Sequence, residues 1–127
     1  MTRLMCVLTA LLSPVCLLAQ RGGVEPLYYE YQVNKPARHA PNSRGPEYPP
    51  QLKARQVEGT VLVQYVVDTL GRVEPKTIKI LRTPDSAFSA AVTIALPKMR
   101  FSPAERSGKR VRQLVQEPVQ FVVPPLE

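Results

Sequence analysis

The amino-acid sequence predicts an α+β fold: a three-stranded antiparallel sheet in the order 2-1-3 with two helices on one face. Three stretches carry this expectation. Residues 58–69, EGTVLVQYVVDT, place Val61, Val63, Tyr65 and Val67 at period two, all β-branched or aromatic, so one face of a long strand is fully apolar. Phe88, Ala91, Val92, Ala95, Leu96 and Met99 fall at i, i+3, i+4, i+7, i+8 and i+11, a single helical stripe able to cover that face. Residues 111–123 repeat the strand pattern, with Val111, Val115, Val119, Phe121 and Val123 on one side.

The chain has 127 residues and 44% hydrophobic content, room for one small domain with extra segments. Its formal charge of +7 favours an acidic partner, whether nucleic acid, an anionic lipid surface or an acidic protein, without choosing among them. The 14 prolines cluster between residues 36 and 50 and at the end, which suggests an extended lead and a short tail around a compact body. Cys6 and Cys16 both lie in the first sixteen residues, so removal of that region leaves no thiol and no disulfide.

Chemistry-bearing residues are sparse. His39 is the only histidine and reads as a solvated loop imidazole, so no metal site is expected and no cofactor is implied. Glu58, Asp68, Glu74, Asp85, Glu105 and Glu117 are scattered over strand ends and loops without pairing. Asp68 and Asp85 are better read as turn and helix-start residues. No catalytic residue stands out, and an enzyme is the class least supported.

From the start, residues 1–19 carry one charge at Arg3 and an apolar run from Leu4 to Leu18, with Ala19 as the small residue before a cleavage point. This reads as a secretory signal peptide, with Gln20 as the mature start. The run is short for a membrane span and holds Pro14. The alternatives are an uncleaved anchor or lipidation at Cys16. Residues 20–45 form a Pro-rich extended lead with Tyr28, Tyr29 and Tyr31, which either pack the arm on the body or dock a partner. Residues 46–127 form the domain.

Within the domain, residues 51–57 are a short helix candidate behind Pro49 and Pro50, with Leu52 and Val57 toward the sheet. The first strand follows, and Leu70 and Gly71 turn it. The second strand spans residues 72–82; Ile78 and Ile80 share a face while Val73 is out of phase and Pro75 lies between, so a bulge or edge position at the sheet margin is expected. Residues 83–86 offer helix-start chemistry, and Pro97 stops or kinks the helix near Leu96. Residues 100–110 read as a loop, the most basic region, with Lys98, Arg100, Arg106, Lys109, Arg110 and Arg112 forming either a solvated rim or an anion-facing patch. Pro118 inside the last strand cannot donate to a ladder, which points to an edge strand.

A tight turn makes strands one and two antiparallel, and the helix returns the chain so that strand three pairs with strand one. Both outer strands then have a free edge, and the third is the longer. Its edge, at Arg112, Gln113, Leu114, Val115, Gln116, Glu117 and Gln120, is a template for an incoming extended peptide.

The residues at 46–123 resemble the carboxy-terminal domain of TonB-family energy transducers. The likeness rests on Pro46 to Pro50; Gly59, Val61, Val63, Val67 and Asp68; Gly71 and Val73; Ala90, Ala91 and Leu96; Arg100, Phe101, Pro103, Ala104 and Gly108; and Val115, Pro118, Val119 and Phe121. The resemblance implies a three-stranded antiparallel sheet with two helices and no catalysis. It implies binding of outer-membrane transporters by pairing with an extended peptide, and transmission of work from an inner-membrane motor. Family members carry a long membrane anchor and spacer, whereas residues 20–45 reach roughly 80 Å at about 3.1 Å per residue. No histidine lies in residues 1–20, and Met99 stands where the family commonly has tryptophan.

The leading expectation is an exported periplasmic TonB-like domain that binds a protein or peptide partner, of outer-membrane transporter type, at the third-strand edge. The alternatives are a membrane-anchored energy transducer with residues 1–19 retained, and a basic anionic-polymer binder using Lys98, Arg100, Arg106, Lys109, Arg110 and Arg112. Export argues against nucleic acid, and the sheet lacks an exposed aromatic pair for base stacking. A homodimer paired through strand edges is a further arrangement the sequence leaves open.

Overall fold

A computed structural model describes residues 25–124. In chain order these form strands β1 (Leu27–Tyr28) and β2 (Arg38–His39), helix α1 (Pro50–Ala54), strands β3 (Gly59–Val67) and β4 (Lys79–Arg82), helix α2 (Ser86–Ala95), and strands β5 (Phe101–Ser102), β6 (Ala104–Arg106) and β7 (Lys109–Phe121). The reading of residues 1–19 as a signal peptide falls outside the described residues. Among the described residues no helix is long and apolar enough to cross a membrane.

The alternation along β3 does what its chemistry requires. Val61, Val63, Tyr65 and Val67 are all at 0% exposure, beneath Phe88, Val92 and Leu96 of the helix stripe. Full burial of each such side chain is worth about 1.5–3 kcal/mol, so this face is the main source of stability. β3 pairs antiparallel with β7 over nine positions, from Gly59 opposite Phe121 to Val67 opposite Gln113, and with β4 on its other side. The order β4-β3-β7 is the expected 2-1-3.

Asp85 caps α2, its carboxylate accepting the Ala87 N–H at 2.8 Å. Pro97 ends the regular helix, and the chain tightens into a single turn over Leu96–Lys98. Helix α1 closes with Gln56 in the left-handed region (φ 55°). The Gln56 and Val57 N–H groups bond back to the Lys53 and Leu52 carbonyls, a Schellman closure without its usual glycine. Tyr48 stands edge-on to Phe88 and Phe121 and donates its hydroxyl to the Val57 carbonyl, which fastens the segment before α1 to the core.

Three segments differ from the sequence expectation. The second strand is shorter than residues 72–82. Val73 is buried and meets Val67 through one bridge, the chain then turns at Pro75–Thr77, and pairing resumes at Lys79 with a register shift beside Leu62 and Val63. The Thr77 hydroxyl takes the place of a ladder partner, accepting from the Val66 N–H at 2.9 Å and donating to the Glu74 carbonyl.

The basic loop is largely paired strand. Ser107 and Gly108 both have positive φ (52° and 76°), so the β6–β7 turn has the hand that matches strand twist and closes in two residues. The last strand therefore begins at Lys109 and ends at Phe121, two residues earlier at each end than expected.

The lead also pairs with the body. β1 runs parallel to β7 at Arg112 and Gln113, β2 runs antiparallel to β5, and the Asn34 and Lys35 N–H groups bond to the Glu105 carbonyl.

Candidate functional site

The cross-strand register with β3 fixes which way β7 points. Gln113, Val115, Glu117, Val119 and Phe121 oppose Val67, Tyr65, Val63, Val61 and Gly59, so they face the core; Leu114, Gln116, Pro118 and Gln120 face away. The inner edge of β7 is paired throughout residues 113–121. Its first residues, 109–111, pair with β6, and its outer edge is paired with β1 at Arg112 and Gln113. Among the described residues, no strand lies on the outer edge over 114–120.

Two polar side chains thus sit on an otherwise apolar face, and both are bonded. Gln113 is 2% exposed, its Oε1 accepting the Ala37 N–H at 2.7 Å. Glu117 receives the Tyr65 hydroxyl at 2.6 Å and faces His39 Nε2 at 3.0 and 3.1 Å. Burial first, and the bond to Glu117 second, push the Tyr65 phenol well above its ordinary value, so it stays a donor. His39 is therefore not a free loop imidazole: it rests on the Phe101 ring at 4.6 Å and bonds the carboxylate.

Arg112 faces away from the core and grips Glu74 with Nε and Nη2 at 2.9 and 3.0 Å, while Nη1 donates to the Glu25 carbonyl at 2.8 Å. The Glu74 bond raises the guanidinium further above its ordinary value. Of the expected edge residues, then, Arg112 and Gln113 are occupied within the chain, whereas Leu114, Val115, Gln116, Glu117 and Gln120 belong to the open stretch.

The basic residues do not form one cluster. Arg106 and Lys109 pair at the β6–β7 turn, with Arg110 opposite Glu105 and Arg106 over the Tyr28 ring at 4.7 Å. Arg100 sits on another element, bridged to Arg72, and with Lys98 lines a groove of about 740 Å³ between α2 and residues 42–50. A smaller pocket of about 260 Å³ lies beside the open stretch of β7, walled by His39, Leu96, Met99, Glu117 and Val119 among others.

Residues 44–123 match the sequence model of the family described as Gram-negative bacterial TonB protein C-terminal, well over half of the chain. The chain belongs to the TonB C-terminal family. Among solved structures it is similar to the solution NMR structure of the Pseudomonas aeruginosa TonB C-terminal domain, with a TM-score of 0.58 and 27% identity over 72% of this chain and 90% of that one. No match was found among curated protein sequences. Domains of the TonB C-terminal family interact with proteins in TonB-dependent transport. β1, β2, His39 and Ser43 precede the stretch that the TonB family model matches.

The Tyr65–Glu117–His39 group is not evident from sequence, its members being 52 and 78 positions apart. One signal was present: Gln113 and Glu117 have the parity of Val115, Val119 and Phe121. Polar groups in phase with a buried face must find partners there.

Proposed function

We propose that this domain binds an extended segment of a partner protein, of the outer-membrane transporter type, by adding it as a strand along residues 114–120 of β7 in the periplasm, without catalysis. The observation that carries this reading is the asymmetry of β7: its inner edge is paired over nine positions, and its outer edge stops being paired after Gln113. Pro118 supports it, because proline in a sheet is accommodated where the missing N–H would face away from the ladder. By alternation, the N–H and C=O groups of Leu114, Gln116 and Gln120 then point outward. β4 ends the sheet on its other side but is four residues long and carries Lys79 and Arg82, features that discourage edge pairing.

Main-chain bonds contribute about 0.5–1.5 kcal/mol each, so an added strand of a few residues gives modest affinity, with side chains setting selectivity. Titration of the labelled domain with amino-terminal peptides of outer-membrane transporters, followed by amide shifts, tests the proposal. Shifts confined to residues 114–120 and their β3 partners are expected; shifts elsewhere alone contradict it. Whether the domain is exported free or held by residues 1–19 is read from the mass of the mature chain: a start at Gln20 means cleavage, and an intact amino terminus favours an anchored transducer.

A further inference from the structure

Resting on strand addition at β7, we propose that the incoming segment delivers one uncharged aliphatic side chain into the 260 Å³ pocket beside the open edge. Glu117 and Val119, which line this pocket, are core-facing residues of the open stretch itself, with Pro118 between them at the rim. Side chains alternate across an added strand. A residue placed opposite this stretch and oriented toward the helix side therefore points at the pocket, while its two neighbours point away.

The chemistry of the walls selects the occupant. Leu96 and Met99, at 1% and 5% exposure, supply an apolar floor from the end of α2, and Val119 and Pro46 extend it. Glu117 is the one carboxylate, held in place by the Tyr65 hydroxyl and His39 Nε2. An acidic side chain would meet that charge. A lysine or arginine would give up hydration against apolar walls for a carboxylate whose two oxygens are already engaged. A leucine-sized group fills the space without either cost.

Part of the wall comes from outside the stretch that the family model matches. His39 comes from β2 and Ser43 from the segment after it, both ahead of the residues the family model matches. The lead thus converts a bare edge into an edge with a side-chain subsite.

The test uses the full chain and four acetylated, amidated nonapeptides of alternating serine and threonine that differ only at the central position: leucine, alanine, aspartate or lysine. Each is titrated against the labelled protein and followed by amide shifts. All four are expected to shift residues 114–120, with the leucine peptide tightest and at least about tenfold tighter than alanine, the scale of discrimination an apolar pocket provides. The variant Gly45→Leu separates pocket from edge, because Gly45 lines the pocket and a Cβ there meets nothing within 4 Å. It is expected to bring the leucine peptide down to the affinity of alanine and to leave alanine unchanged.

Shifts at residues 114–120 with equal leucine and alanine affinities overturn the pocket while leaving strand addition in place. A leucine preference that survives Gly45→Leu places the subsite elsewhere, and a preference for lysine or aspartate overturns its chemistry. No shift at residues 114–120 with any peptide overturns strand addition itself.

Discussion

Tyr65 lies at 0% exposure in the middle of the apolar face of β3 and still carries a hydroxyl, so the fold has to supply an acceptor inside the sheet-helix interface. Glu117 does so across the β3–β7 ladder, and His39 completes the carboxylate's coordination from the lead. Removing the hydroxyl with Tyr65→Phe strips a charged acceptor of one partner and is expected to cost roughly 1–2 kcal/mol, read by denaturant unfolding. The pH dependence has a defined sign. The folded state raises the Tyr65 pKa, so its contribution is complete below the unfolded tyrosine value of about 10. It is lost progressively as pH rises above that value and the unfolded chain ionises first. The stability difference between wild type and Tyr65→Phe should therefore be flat from neutrality to pH about 10 and shrink above it; a difference that grows with alkalinity would contradict the assignment.

At this scale the sequence is least readable. The period of β3 names Tyr65 as a core residue, but its partners are brought together only by the register of β7 and the path of the lead. A single histidine in a proline-rich stretch carries no pattern by which its contact with Glu117 could be foreseen.

At the scale of elements, α2 is fully legible because each of its features has a local cause. The stripe from Phe88 to Met99, the Asp85 cap and the Pro97 stop are all written within fifteen residues. Asp85→Ala should cost about 1 kcal/mol, measured by thermal unfolding and accompanied by faster amide exchange at Ala87. Helix α1 offers the reverse experiment. Gln56 occupies a left-handed position that penalises a side chain by roughly 1 kcal/mol or more, so Gln56→Gly is expected to stabilise the domain by about 0.5–1 kcal/mol, while Gln56→Val should destabilise it.

The strands are less evenly readable. β3 and β7 announce themselves by long alternation, whereas β4 is shortened by the Pro75–Thr77 turn and by the Thr77 hydroxyl serving as ladder partner for Val66. β6 has only Ala104 as a buried residue, so it shows no period, and it exists because the Ser107–Gly108 turn folds it onto the start of β7. Gly71 marks the converse case. Its positive φ is visible as a turn glycine, but the reason no side chain fits is tertiary: a Cβ there would lie 2.0 Å from the Phe101 carbonyl oxygen.

At the scale of the whole molecule, the order β4-β3-β7 follows from the sequence because hairpin and helix connections leave few arrangements for three strands. The lead does not follow, since a proline-rich segment without hydrophobic period gives no sign of its pairing partner. Its placement nevertheless decides the site. β1 takes the outer edge at Arg112 and Gln113, Arg112 ties Glu74 to the Glu25 carbonyl, and the open stretch contracts to residues 114–120.

The two acts of the lead, covering one part of the edge and walling a pocket beside the rest, fit the proposed strand addition, in which the stretch left for a partner is set by what the chain itself occupies. Amide hydrogen exchange with and without a bound transporter peptide tests this most directly. The outward N–H groups of Leu114, Gln116 and Gln120 are expected to exchange fast in the free domain and to become protected on binding, with β4 unchanged. Protection appearing along Lys79–Arg82, or absent from residues 114–120 while the peptide is bound, would contradict it.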